Sequence, residues 1–137
     1  MLLDSEDIFL KRLIDTLPSS ISIIKSSYRY CRIDFLVINK INIKTLYIEH
    51  KLRSIIGRNY PSVWIKKDKI ESILKDYGAF LFVSECKDDI YYIWIDDKTI
   101  DKYVVETNLY GEVVVNILTA DFSKGYDGIT KLINDKL

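Results

Sequence analysis

Residues 31–51 read CRIDFLVINKINIKTLYIEHK, and this stretch decides the fold. Cys31–Ile38 is rich in β-branched and aromatic residues, with Ile33, Phe35 and Val37 on one side and Asp34, Leu36 and Ile38 on the other. Asn39–Asn42 supplies turn chemistry. Ile43–Lys51 then alternates again, placing Thr45, Tyr47, Glu49 and Lys51 on one face and Leu46, Ile48 and His50 on the other. The pattern predicts two antiparallel strands joined by a tight turn.

Upstream, Ser5 or Asp4 caps a helix with Glu6 and Asp7 in its first turn, where carboxylates suit the positive end of the dipole. Leu10, Leu13, Ile14 and Leu17 form its apolar stripe, and Pro18 closes it. Glu6 lies on or beside that stripe. A strand around Ile21–Ile24 follows, then the polar run Lys25-Ser26-Ser27-Tyr28-Arg29.

Downstream, Arg53–Tyr60 reads as a basic loop, and Pro61-Ser62 as the start of a helix capped by Ser62. That helix would run to Tyr77 with Val63, Ile70, Ile73, Leu74 and Tyr77 inward and Gly78 as its stop. Ala79–Glu85 is nearly all apolar, as expected of a central strand covered on both faces. Ile90–Ile95 is a further strand. Tyr103–Thr107 and Glu112–Leu118 form a hairpin around Asn108–Gly111, and Asp127–Asp135 a short terminal helix. The expected fold class is α/β: a central mixed sheet flanked by helices, in the order α-β-β-β-α-β-β, plus a late hairpin. A single domain spans 1–137.

Composition agrees with an ordinary globular chain, at 48% apolar and 29% charged residues. No apolar run approaches the ~20 residues of a membrane span, and the acidic start does not read as a secretory signal. No membrane association is expected. Cys31 and Cys86 have neither metal-ligand nor disulfide-framework spacing and read as two buried thiols in a cytoplasmic protein. For a viral chain that compartment is the host cytoplasm. Net charge is zero but polarised: residues 1–69 carry +6 and residues 70–137 carry −6, with 11 basic against 3 acidic residues within 25–69. A basic segment on a neutral chain suggests a face for a polyanion.

Chemistry is expected at the Asp34, Glu49 and Lys51 positions. If the two strands pair, both carboxylates converge with a nearby carbonyl into a hard-oxygen site suited to Mg²⁺, with Mn²⁺ as a substitute. Lys51 beside them would act on an attacking water and stabilise a phosphoryl transition state. A second Glu-x-Lys, Glu85-Cys86-Lys87, follows a helix rather than an Asp-bearing strand and is set aside.

Asp34 with its strand, and Tyr47-Ile48-Glu49-His50-Lys51, resemble the PD-(D/E)XK nuclease signature, with Ile33 where that signature has Pro. Within that superfamily the likeness is to archaeal or viral Holliday-junction resolvases. There a first-helix Glu, a Ser-bearing loop, an Asp and a Glu-x-Lys occur in this order, here Glu6, Ser26-Ser27, Asp34, Glu49 and Lys51. The resemblance implies a Mg²⁺-dependent DNA endonuclease cutting four-way junctions in pairs as a homodimer. Asp34, Glu49 and the His50 carbonyl would hold metal, while Lys51, Glu6 (or Asp7, were the helix rotated) and Ser27 would serve catalysis. Lys25, Arg29, Arg32, Arg53, Arg58, Lys66 and Lys67 are the candidate DNA contacts. His50 itself should point away from the metal. Tyr91, Trp94, Tyr103, Val113 and Val115 are the candidate dimer patch. A generic or end-processing DNA nuclease, and a catalytically inert DNA- or protein-binding module, are the rival readings.

Overall fold

The most apolar run of the chain becomes its middle strand. In the computed structural model, which describes residues 5–26 and 33–137, the elements in chain order are α1 (Ser5–Thr16), β1 (Ile21–Lys25), β2 (Phe35–Asn39), β3 (Thr45–Leu52), β4 (Ser62–Lys66), α2 (Lys67–Tyr77), β5 (Ala79–Glu85), β6 (Ile90–Asp96), α3 (Asp97–Ile100), β7 (Val104–Thr107), β8 (Val113–Leu118), β9 (Ser123–Lys124) and α4 (Tyr126–Lys136). A six-stranded sheet runs β1-β2-β3-β5-β6-β9, and a three-stranded sheet runs β4-β8-β7. The β3–β5 pair is parallel, joined through α2, and the remaining pairs are antiparallel. The expected mixed α/β architecture is therefore present.

Strand alternation sorts two cores. On one face of the large sheet Phe35, Val37, Leu46, Ile48, Leu81 and Val83 pack with Phe9 and Leu13 of α1 and Ile129 and Ile133 of α4. On the other, Phe80, Phe82 and Ile95 pack with Ile70 and Ile73 of α2 and with Ile65, Val115 and Ile117 of the small sheet. β5 contributes to both, as a strand between two layers must. Each fully buried side chain of this kind supplies roughly 1.5–3 kcal/mol.

Four expectations are corrected. Residues 62–66 form a strand, not the first turns of a helix: Val63-Trp64-Ile65 are strand formers, Ile65 is buried, and the segment pairs with β8 from Ser62↔Leu118 to Lys66↔Val114. Ser62 is accordingly no cap, and α2 starts at Lys67. In α1 the fully buried residues are Phe9 and Leu13, whereas Ile14 is exposed, so the stripe is rotated by about one position. Ile33 precedes β2 and packs into the α2-side core, on the opposite face from Phe35 and Val37. Ile43 sits at φ +64° in the turn, so β3 begins later, at Thr45.

The patch read as a dimer surface also fails as one surface. Tyr91 and Val115 are buried, while Trp94 and Tyr103 pack against opposite cores. Cys86 is half-buried rather than buried, and Cys31 lies outside the described residues, as does Asp4. No helix among the described residues is long and apolar enough to cross a membrane.

Candidate active site

The site forms where β3 outruns β2. The last β2 partner of β3 is Phe35, opposite Ile48; Asp34 then donates its amide to the Ile48 carbonyl at 2.9 Å. One residue pair further, the Asp34 carboxylate takes the place of a backbone acceptor: Oδ2 accepts the His50 N–H at 2.7 Å. In an extended strand a residue's N–H and C=O point to the same side, so the His50 carbonyl opens onto the same gap. On its other side β3 stays paired with β5 as far as Leu52↔Glu85.

Alternation then separates the side chains as expected. His50 is buried on the α1 side, its ring 4.7 Å from that of Phe9 and 6.4 Å from that of Phe35, with Nε2 3.1 Å from Glu85 Oε1. Glu49 and Lys51 project to the α2 side. They line a cleft of about 330 Å³ between the large sheet and the small one, walled by Arg53, Trp64, Lys66, Lys69, Tyr110 and Glu112.

Glu49 is the unusual group. It is 5% exposed, and burial pushes its carboxyl up to about 7 from an ordinary 4.5. The Asp34 charge raises it further, while the hydrogen bond from Lys69 Nζ and the charges of Lys69 and Lys51 oppose the rise. Four charged groups, Asp34, Glu49, Lys51 and Lys69, therefore share one electrostatic neighbourhood. Lys69 was missed by sequence reasoning, because a helix extended back to Ser62 gives it no fixed place. Once α2 starts at Lys67, Lys69 falls in the first turn, opposite the end of β3. The signal available was the buried carboxylate itself, which needs a cation within reach.

The basic candidates divide. Arg53 is half-buried in the cleft wall, its amide held to the Glu85 carbonyl at 2.8 Å. Burial lowers its pKa, and its guanidinium has no hydrogen-bonding or ion-pairing carboxylate among the described residues. Arg58 is exposed on a 3₁₀ turn, Gly57–Asn59, which is anchored by Gly57 N–H donating to Asp88 Oδ1 at 2.7 Å. Lys66 lines the cleft and pairs with Glu112 at 2.8 Å. Lys67 pairs along its helix with Glu71 at 3.1 Å and faces a separate hollow with Asp97 and Asp101, away from the cleft. Lys25 is held by Glu6 at 3.4 Å and Asp7 at 3.1 Å, which draws the first turn of α1 to the end of the sheet where Asp34 lies. Ser27, Arg29 and Arg32 lie outside the described residues.

A divalent cation suits this donor set. Among the described residues no group of three or more His, Cys, Asp or Glu side chains forms a metal cage. Two carboxylates and one backbone carbonyl are all oxygen donors, and Mg²⁺ characteristically takes one or two carboxylates and keeps several waters. A cation there would also relieve the mutual repulsion that helps hold Glu49 at about 7.

No protein-family model matches the chain, and no curated protein matches it. Its fold is similar to the solved structure of Hjc, a Holliday junction resolvase from the archaeal hyperthermophile Archaeoglobus fulgidus. The TM-score is 0.55 at 13% identity, over 93% of this chain and 98% of that one. The chain thus has a Hjc-like fold.

Proposed function

We propose that this chain is a metal-dependent DNA endonuclease whose leading substrate is a four-way junction, cut in pairs by a homodimer. The observation that carries the reading is a buried Glu49 beside Asp34 and Lys51 in a cleft rimmed by Arg53, Lys66 and Lys69. A buried carboxylate that feels the Asp34 charge and opens into a cleft lined by Lys51, Arg53, Lys66 and Lys69 suits a metal-assisted phosphodiester site far better than one for a neutral or cationic substrate. The Hjc-like fold, and the junction-resolving activity named for Hjc, support the choice of substrate.

Asp34, Glu49 and the His50 carbonyl would hold Mg²⁺, with Mn²⁺ as a substitute. When bound, the cation lowers the pKa of a coordinated water and offsets charge on the phosphoryl oxygens. Lys51, on the same strand face as Glu49, would orient the attacking water and stabilise the charge developing on the non-bridging oxygens. Arg53 would receive the phosphate as the anion its guanidinium lacks. Lys66 would exchange Glu112 for DNA at little expense, because exposed ion pairs are worth at most about 1 kcal/mol. Glu6 would complete the acidic rim through Lys25, and Ser27, outside the described residues, would serve catalysis as the resemblance implies. Two cuts in opposed strands need two such sites, hence a two-fold dimer.

The test is cleavage of an end-labelled four-way junction and a linear duplex of the same sequence, with and without Mg²⁺. The expected result is paired, symmetric, Mg²⁺-dependent nicks in the junction. Asp34→Asn should lose cleavage at least a hundredfold while keeping its fold, since the Asn oxygen still accepts the His50 N–H. Light scattering should give a dimer. Wild-type rates in Asp34→Asn would remove the assignment, and exonucleolytic decay of the linear duplex would turn it toward end processing.

A further inference from the structure

Next to the cleft lies a second cavity of about 460 Å³, within the ~300–1,000 Å³ range of small-ligand sites. Arg53 and Trp64 line both, so the two hollows meet at a shared wall. The second one is mostly apolar: Ile55, Val63 and Phe122 form its sides, and the half-exposed rings of Tyr60 and Trp64 stand at its rim. Among the described residues no carboxylate lines it. Two polar atoms of its wall residues, Arg53 Nε and Thr119 Oγ1, are buried without a hydrogen-bond partner among the described residues. Buried polar groups left unpaired are rare in folded proteins and point to a missing partner.

We propose that this cavity receives an unstacked nucleobase, from the strand whose scissile phosphate lies over Glu49 and Lys51. The inference rests on the nuclease reading and adds a base subsite to it. A nucleobase has the required chemistry: apolar faces that stack on aromatic rings, a polar edge for isolated donors, no charge of its own, and a phosphate on the side where Arg53 stands. Junctions and flanking single strands offer bases that are already poorly stacked, which lowers the expense of extruding one. A phosphate held by Arg53 in the cleft places its own nucleotide at the shared wall, so no separate binding event is needed.

The experiment is photocrosslinking. 5-Iododeoxyuridine is placed at single positions across the junction, the complex is formed with the intact chain in Ca²⁺, and crosslinked peptides are identified by mass spectrometry. One position should crosslink to Tyr60, Trp64 or Phe122. Ile55→Trp, which fills the cavity from a loop, should abolish that crosslink and weaken DNA binding roughly five- to hundredfold, the range of one lost base stack. Thr119→Val keeps the shape and should fold as stably as the wild type, yet lower the crosslink yield; it decides the matter if Ile55→Trp does not fold. Saturated DNA binding with no crosslink to these residues overturns the proposal, as do wild-type crosslinks in Ile55→Trp. Mg²⁺-dependent cleavage of unlabelled junction, run in parallel, separates the two readings. Cleavage without the crosslink removes the base site alone, the crosslink without cleavage removes the nuclease alone, and absence of DNA binding removes both.

Discussion

Replacing Glu49 by Gln should make the metal-free protein more stable at pH 8 and leave it unchanged near pH 4.5. The carboxyl is held at about 7 in the fold against an ordinary 4.5, chiefly by burial. Below about 4.5 Glu49 is protonated in both the folded and unfolded chain and contributes nothing. Between 4.5 and 7 the unfolded chain releases its proton while the folded chain keeps it, so stability falls as pH rises. Above 7 the carboxylate is ionised in both states and the full penalty stands. At about 1.4 kcal/mol per pKa unit, that penalty is about 3 kcal/mol. Gln forfeits the charge-assisted bond from Lys69, so a net gain of about 1–3 kcal/mol is expected at pH 8, or on the order of 3–10 °C in Tm for a chain of this size. The assay is thermal and urea unfolding of both proteins in EDTA at pH 4.5, 6 and 8; other titrating groups cancel in the difference. Mg²⁺ should then raise the wild-type Tm by mass action and leave the variant unmoved. A variant less stable than wild type at pH 8, or a gap independent of pH, would refute the claim that a buried charge only partly compensated by Lys69 and Lys51 sits at this site.

Arg53→Met should leave stability unchanged or raise it, since the guanidinium is half-buried without a carboxylate partner among the described residues; DNA affinity should fall, and the slope of log K against log salt should become shallower by about 1 in a binding titration. Lys69→Met removes the hydrogen bond that opposes the rise in Glu49, so the carboxyl should titrate above 7 when followed by NMR in EDTA; a midpoint moving down would contradict the geometry. Gly57→Ala should destabilise by about 1–3 kcal/mol in denaturant unfolding, because its Cβ would stand 2.6 Å from the Tyr91 ring, whose hydroxyl is fixed on Asp88.

Much of the site was legible because it depends on local alternation. Period-two reading alone puts Glu49 and Lys51 on one face of β3 and His50 on the other, and the buried His50 between Phe9 and Phe35 agrees. Ala79–Glu85 was equally readable, since a strand covered on both faces leaves no polar alternation. What failed depends on distant partners. Val63-Trp64-Ile65 is too short for periodicity to separate strand from helix, and it is a strand because β8 arrives some 50 residues later to pair with it. That one error displaced the start of α2 and hid Lys69. The α1 stripe failed by rotation: Phe9 and Ile14 flank the same axis, and the Phe35 and His50 rings in the sheet select Phe9. Of the five residues proposed as a patch, Trp94 packs against one core, Tyr103 and Val115 belong to the other, Tyr91 is buried and Val113 alone is exposed.

The same strand overhang that creates the site also explains why its residues are of these types. Past Ile48, one side of β3 has no strand partner among the described residues, while the other side remains fixed by β5. An unpaired strand edge exposes N–H and C=O groups that require partners or water. The Asp34 carboxylate satisfies the donor, His50 N–H, but it offers nothing to the acceptor beside it and brings a negative charge next to a buried Glu49. Two anions and an open carbonyl at one corner form an arrangement that protein cations balance only in part: Lys69 reaches Glu49, and Lys51 acts at the same carboxylate through its charge. A small hydrated dication, as proposed above, would answer all three oxygens at once. Sequence changes that lengthened β2 by two paired residues would complete the ladder, swing the residue at position 34 out of the gap, and leave a more stable sheet with no site.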